Sequence, residues 1–420
     1  MKNSSYARLV HKELNNINSE AVYISKSENF AHEYDLLLNS FKKFYEHINI
    51  AYSFKTNYIP DFLKIIKNKK GYAEVVSIME LELALKVGFN YKNIFFNGPF
   101  KHEKETLEFL SKGGLVNVDS YDEFELIENF AKKSRIKCRI GIRLNFEFKE
   151  NHSRFGISVN DNSIKKIFST CINSDFLSIE SLHYHYAPRQ IDVWKSCTNK
   201  FITFLNSLSP EIIKNIRYIS LGGGMFSRMD SFLKKQLPFK IPSFDDYAKS
   251  SIKLIASYFD TKTCFSHKPE ILIEPGTALA SKSLDFAVRV ISLKKLNNKI
   301  YINTSGSKYN MNPSLNRINS PVEIHNCNPK NTVSVNNANI CGYTCIESDI
   351  IHNDFSGKVA KGDTIIFREI GSYSVVMKPP FILPDVAIIE FNYNLNNFKL
   401  IREKQSSRDV FHTFKNIKYD

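Results

Sequence analysis

The chain has 420 residues, 43% of them hydrophobic, which exceeds one average domain and is enough to fill two cores. Lys and Arg outnumber Asp and Glu by 57 to 43, a formal net charge of +14, but the lysines are scattered among Asn and Ile rather than gathered in one stripe, which disfavours nucleic-acid binding. No run reaches the ~18 apolar residues of a membrane helix, Met1-Lys2-Asn3-Ser4-Ser5-Tyr6-Ala7-Arg8 leads into no signal-peptide core, and the seven cysteines form no CxxC pair; a soluble, cytoplasmic protein without disulfide framework, metal or membrane contact is expected.

From residue 49 to 275, short β-type apolar runs alternate with longer amphipathic stretches. The runs are Asn49–Phe54, Tyr72–Val76, Asn93–Phe96, Leu115–Val118, Cys138–Leu144, Ile179–Tyr184, Arg217–Leu221 and Glu270–Ile273. Between them, Met79–Val87, ended by Gly88, and Asp122–Phe130 carry helical periodicity. Eight βα units over about 225 residues match an α/β protein of the TIM (β/α)8 barrel type, whose strands are buried on both faces and read as continuous apolar runs. A doubly wound open sheet is the rival, but nothing marks a switch point. From residue 286 the texture changes: Phe286–Leu293, Lys299–Thr304, Asp363–Arg368 and Val386–Phe391 recur with few helical stretches between them, predicting an all-β C-terminal domain. The Asn/Ser/Pro-rich stretch 303–338 reads as loop. The expected division is an N-terminal segment 1–30 packing with the β domain, a barrel over 31–285, the β domain over 286–400 and a tail over 401–420.

In a barrel, active residues project from the C-terminal ends of strands. Those ends hold Lys55, His185, Gly222-Gly223-Gly224 and Glu274-Pro275-Gly276. Each has an ordinary explanation: a lysine snorkelling to solvent, a satisfied core histidine, a tight turn, a carboxylate paired with Arg or Lys. Each also has a chemical one: a desolvated amine forms Schiff bases with carbonyls, glycines let backbone N–H groups approach an anion, and a buried acid needs a cationic partner such as a protonated pyridine nitrogen. Four such features on one rim favour the chemical reading.

In order and spacing the chain resembles the fold-type III pyridoxal phosphate (PLP) enzymes, the alanine-racemase-fold group containing diaminopimelate and ornithine decarboxylases, over residues 20 to 395. The likeness is carried by Tyr52-Ser53-Phe54-Lys55-Thr56-Asn57, Glu74-Val75-Val76-Ser77 with Glu80-Leu81, Val118-Asp119-Ser120, and Ser153-Arg154-Phe155-Gly156-Ile157. It continues through Leu182-His183-Tyr184-His185, Gly222-Gly223-Gly224, Glu274-Pro275-Gly276, the Cys345 region and Gly371-Ser372-Tyr373. The resemblance implies pyridoxal 5'-phosphate as cofactor, held covalently by Lys55, stacked on His185, bound at its phosphate by Gly222, Gly223 and Gly224, with Gly276 beside it and Tyr373 approaching from the β domain. Glu274 would pair with the ring nitrogen. It further implies a homodimer with shared active sites, in which the loop bearing Cys345 and Asp349 reaches the partner's site and Arg154 pairs with Asp349 between subunits. Cys345 would protonate Cα after CO₂ leaves. Racemases of this fold place an arginine near the ring nitrogen, so Glu274 points to decarboxylation; a racemase and a non-catalytic PLP-binding protein are the alternatives.

Three positions depart from the family pattern. Ile346 follows Cys345 where basic amino-acid decarboxylases carry an acid for the substrate's distal ammonium, although Glu347 stands one position on. Thr277 replaces the arginine that in diaminopimelate decarboxylases binds a substrate carboxylate, and Ala187-Pro188 replaces a Gly-Ser. A substrate with a large or differently charged far end is therefore expected. The stretch Met377-Lys378-Pro379-Pro380-Phe381-Ile382 resembles a subgroup in specialised metabolism: siderophore decarboxylases acting on citryl-diaminopropionate, and the decarboxylase domain of microcin C maturation, which acts on a peptidyl nucleotide. Antibiotic or siderophore biosynthesis is the expected setting.

Overall fold

All eight apolar runs are strands in the computed structural model, which describes residues 3–148, 153–261, 267–311 and 318–417. After β1 (Ala21–Ser25) come β2 (Ile48–Ser53), β3 (Tyr72–Val75), β4 (Ile94–Phe96), β5 (Leu115–Val118), β6 (Cys138–Asn145) and the two-residue β7 (Ile157–Ser158). Then follow β8 (Leu177–Tyr186), β9 (Tyr218–Gly223) and β10 (Glu270–Glu274). The hydrogen-bonded order β5-β4-β3-β2-β10-β9-β8-β6 is parallel throughout, and a β5–β6 pairing closes it into an eight-stranded barrel. The two helices anticipated from periodicity form at Ile78–Val87 and Tyr121–Ser134. Each starts on a Ser-x-x-Glu signal: Ser77 accepts from Glu80 N and Ser120 from Glu123 N, while Glu80 and Glu123 reach back to Val76 N and Asp119 N. Gly88, at φ +93°, ends the first.

Inside the barrel, Ala51, Phe95, Leu115 and Leu272 form an apolar layer with Tyr72 and Tyr218 packed against it. Phe95 meets both tyrosine rings edge-on, at 5.4 and 5.1 Å. Strand side chains alternate in direction, so the residues two positions nearer the C-terminal ends share this inward face. They are Ser53, Glu74, Asn97, Asn117, Ser220 and Glu274, a polar layer over an apolar floor.

The barrel unit comprises Ala31–Phe226 and Ile241–Ala278; the second unit takes the residues up to Phe30, Ser227–Lys240 and those from Leu279 on. This differs from the expected division at two places. Residues 279–285 leave the barrel because strand pairing already begins at Leu284, opposite Ser25. Residues 227–240 leave it because Gln236 and Asn319 exchange side-chain and backbone hydrogen bonds, and Phe232 stacks on His352.

The second unit is a mixed rather than purely antiparallel sheet. It contains β11 (Leu284–Leu296), β12 (Lys299–Thr304), β13 (Val322–His325), β14 (Val333–Cys341), β15 (Ile350–Val359), β16 (Thr364–Phe367), β17 (Ala387–Asn392) and β18 (Asn397–Arg402). The order is β15-β14-β12-β11-β1-β17-β18, with β16 pairing β11 and β13. The pairs β1–β17 and β12–β14 are parallel. The stretch expected to be loop holds β13 and the start of β14, and the expected tail begins inside β18 and includes a capped helix at Ser407–Phe411. Tyr6, Ala7, Val10 and Leu14, on one face of the helix Asn3–Asn16, pack against Val22, Ile24, Ala287, Ile366, Ala387, Ile389 and Phe391.

Beside this core Lys26 and Asp285 form a buried ion pair at 2.6 Å, and Tyr6 Oη also donates to Asp285. Asp285→Ala would strand the buried ammonium and is expected to cost about 3–5 kcal/mol of stability in chemical denaturation. Asp285→Ala with Lys26→Met should recover most of that loss. No helix among the described residues is long and apolar enough to cross a membrane.

Candidate active site

Three of the expected strand ends bring Lys55, His185 and Glu274 to one cavity of about 620 Å³ in the barrel unit, and the Gly222–Gly224 triplet lies outside its described lining. Its lining includes Lys55, Glu74, Asn97, Arg143, Arg154, Phe155, His183, His185, Ala187, Pro188 and Glu274. Lys55 lies in a single 3-10 turn, Phe54–Thr56, directly after β2; the turn ends the strand and exposes the side chain to the cavity. Its Nζ donates to both oxygens of Glu74, at 2.9 and 2.6 Å. Gly276 sits where a Cβ would fall on Thr56 Oγ1, and Ser53 N donates to Pro275 O, so the exits of β2 and β10 lie against each other. This gives Gly276 a packing role beside the expected cofactor contact.

Glu274 is the last residue of β10 and is buried. Oε1 accepts from Ser220 Oγ at 2.6 Å and Asn97 Nδ2 at 3.1 Å; Oε2 faces His183 Nε2 at 3.2 Å and His185 Nδ1 at 3.7 Å. Burial pushes the Glu274 carboxyl up, but the two histidines outweigh it and hold the carboxyl well below the ordinary range, so it stays ionised. Burial pulls His185 down, against its hydrogen bond to Glu274 and with the Lys55 charge. Glu80, behind Glu74, is pushed up to about 7, mainly by burial.

One amide joins the two carboxylates. Asn97 Nδ2 donates to both Glu74 Oε1 and Glu274 Oε1, at 3.1 Å each. Asn117 Nδ2 in turn donates to Asn97 Oδ1 at 2.7 Å, which fixes which way the Asn97 amide faces. A Cβ at Gly141 would fall on Asn117 Oδ1, so a glycine there leaves room for this pair. Glu74, Asn97, Asn117, His183 and Ser220 received no role from the sequence. The signal was available in the period of two: His183 precedes His185 by two residues, and Ser220 precedes Gly222 by two, on inward faces already marked by their neighbours.

The triglycine does something other than present three free amides. Gly224 N already donates to Tyr186 O at 3.1 Å. What the glycines provide is space. A Cβ on Gly222 would fall on His185 Nδ1 and Glu274 Oε2, one on Gly223 on Trp194 and Tyr186 O, and one on Gly224 on Ala187 O and the Arg189 side chain. Also in the lining, Arg143 and Arg154 both lie over the Phe155 ring, at 4.7 and 4.1 Å, with Arg143 also 3.2 Å from Asp119.

Thr277 is in the barrel unit but outside the cavity's described lining, and the other expected site residues, Cys345, Ile346, Glu347, Asp349 and Tyr373, belong to the second unit. Cys345 is exposed with a free thiol, Ile346 half-buried and Glu347 exposed. Tyr373 is half-buried and precedes a short helix in the left-handed conformation, φ +60°. Asp349 is buried, with Oδ1 accepting from Ser307 Oγ and Lys308 N and Oδ2 from Thr344 N and Oγ1 of its own chain. Its carboxylate organises the Gly342–Asp349 turn within its own chain.

Among the described residues two groups have metal-ligand composition, His183–His185–Glu274 and His11–His325–Cys327. The first is the network just described. In the second, Arg289 donates to His11 Nδ1 at 2.5 Å, a buried cation where an ion would need a lone pair.

The family described as pyridoxal-dependent decarboxylase, pyridoxal binding domain, matches residues 35–281. Diaminopimelate decarboxylase of Methanocaldococcus jannaschii is 25% identical over 375 residues, 85% of this chain and 82% of that protein. The Helicobacter pylori enzyme of the same name is 24% identical over 408 residues, 92% and 95% of the two chains. In fold, the chain is similar to the M. jannaschii enzyme in co-complex with L-lysine, with a TM-score of 0.83 at 22% identity over 98% of this chain and 94% of that one. The arginine decarboxylase of Paramecium bursaria Chlorella virus gives 0.71 at 17% identity over 90% and 97%.

Proposed function

The chain belongs to the pyridoxal-dependent decarboxylase family and is a PLP-dependent amino-acid carboxy-lyase; we propose that its substrate is an amino-acid moiety carried on a larger conjugated molecule, decarboxylated at the cavity of Lys55 and Glu274. The observation that carries this reading is the cavity lining itself, which combines an amine and an ionised buried acid with two guanidinium groups over one aromatic ring.

The residues fit the cofactor. Lys55 Nζ is the amine that would hold it, and Glu74 Oε2, 2.6 Å away, is the group that can take the ammonium proton and leave the amine nucleophilic. Glu274, kept ionised by His183 and His185 and oriented by Ser220 and Asn97, would pair with a cationic ring nitrogen. Gly222 leaves the space in which the His185 ring and the Glu274 carboxylate come together, so that both would be available to the cofactor. Bound there, PLP supplies the electron sink for the pair left when the α-carboxylate departs as CO₂. Cys345, delivered from a second copy of the chain, would return a proton to Cα, which makes the homodimer the working form.

Thr277 and Ile346 lack the charges that hold a free dibasic or diacidic amino acid, while Arg143, Arg154 and Phe155 in the cavity lining favour an anionic or aromatic extension. A nucleotide- or citrate-bearing conjugate of antibiotic or siderophore biosynthesis has that chemistry. CO₂ release should be measured from a panel of amino acids conjugated to nucleotide or citrate, beside free diaminopimelate, ornithine, lysine and arginine. A conjugate is expected to exceed every free amino acid in kcat/KM by about 10-fold or more. Free diaminopimelate as the best substrate would overturn the conjugate reading, and α-proton exchange with the carboxylate retained would indicate a racemase.

A further inference from the structure

Arg189 leaves the end of β8 two residues beyond Ala187, beside the exits of β9 and β10. Its side chain crosses the third glycine of the triplet, where a Cβ on Gly224 would meet Arg189 Cγ. Its guanidinium lies over the Phe226 ring at 5.0 Å, and Nη2 is 3.4 Å from Thr277 Oγ1. The backbone beneath is pinned by Tyr247 Oη donating to Arg189 O at 2.7 Å. Ala187 and Pro188, which lead to it, line the cavity.

Three separate facts leave this rim short of anion donors without Arg189. The Gly224 amide is committed to Tyr186, residue 277 is a threonine, and the two residues after Tyr186 are Ala187 and Pro188, of which proline has no N–H and alanine no hydroxyl. A phosphate monoester at the rim needs a cation, and a guanidinium presents paired N–H groups to phosphate oxygens. We propose that Arg189 is the phosphate anchor of this site, a cation supplied from the β8 exit and steadied by Thr277 and Phe226. Gly224 then serves to let that arginine lie across the loop. The proposal rests on the cofactor reading above and names a residue that reading does not use.

The test is cofactor affinity measured on the full chain stripped of PLP, titrated with PLP and, in parallel, with pyridoxal, which lacks the phosphate. Trp194, the only tryptophan, donates to Gly224 O at 3.0 Å and reports the rim by its fluorescence, independently of turnover. Arg189→Ala is expected to raise the Kd for PLP by about 10- to 100-fold and to leave pyridoxal affinity within about two-fold. Arg189→Lys should keep part of the affinity, and Arg189→Ala with Thr277→Arg should restore it by returning a guanidinium from the other side of the same contact. Unchanged PLP affinity in Arg189→Ala overturns the proposal, as does equal loss of PLP and pyridoxal, or a raised substrate KM with PLP affinity intact, which would assign the arginine to a substrate anion. A parent chain that binds neither compound would sink the cofactor reading itself.

Discussion

Lys55→Ala is expected to abolish the visible absorbance of the PLP-loaded protein and to lower decarboxylation by about 10³-fold or more, since it removes the nucleophile rather than a supporting contact. It should also lower stability. Glu74 is almost wholly buried, and Lys55 is its cation; the alanine variant leaves that carboxylate with the Asn97 amide alone among its described partners. Because the lysine is itself about one-third exposed, the loss is expected to be modest, about 2 kcal/mol. Lys55→Ala combined with Glu74→Gln separates the two effects: stability in urea denaturation should return most of the way, while activity and chromophore stay lost. A single Lys55→Ala variant that still turns yellow with PLP and releases CO₂ would remove Lys55 from the chemistry altogether.

How much of this site could be read from sequence follows from which signals are local. A barrel strand is buried on both faces, so each announces itself as an apolar run, and all eight runs are strands. Its end is marked by the first residue that does not belong in such a run, which singles out Lys55, His185 and Glu274. Partners contributed by other strands carry no such mark. Asn97 looks like an ordinary polar residue after a short strand and Asn117 like one inside a strand, and only the barrel places one amide between two carboxylates 200 positions apart in sequence (Glu74 and Glu274). The same holds for Asp349, whose partners within its own chain, Ser307, Lys308 and Thr344, carry no local mark. Unit limits are non-local for a related reason: residues 227–240 group with the second unit, where Gln236 and Asn319 pair, a contact that no local composition encodes.

Glu274→Gln keeps the shape of the side chain and removes its charge, and is expected to lower kcat by about 10²- to 10³-fold. The amide can still accept from Ser220 and Asn97, but its nitrogen then faces His183 and His185, and no anion remains to hold a protonated ring nitrogen. PLP affinity should change by less than kcat, since the covalent link to Lys55 and the phosphate contacts are untouched. The variant also has a stability signature in the cofactor-free protein. The folded-state pKa of Glu274 lies well below its ordinary value, so between the two values the unfolded chain binds more protons and stability rises with pH. That contribution is present above the unfolded pKa of about 4.3 and is lost as pH falls through the folded one. Glu274→Gln should therefore be less stable than the parent at pH 7, with the difference shrinking progressively below about pH 4 in unfolding curves followed by circular dichroism. An equal difference at pH 7 and pH 3 would mean that the glutamine is merely a poorer fit, and an unchanged kcat would mean that the charge at the end of β10 takes no part in the reaction.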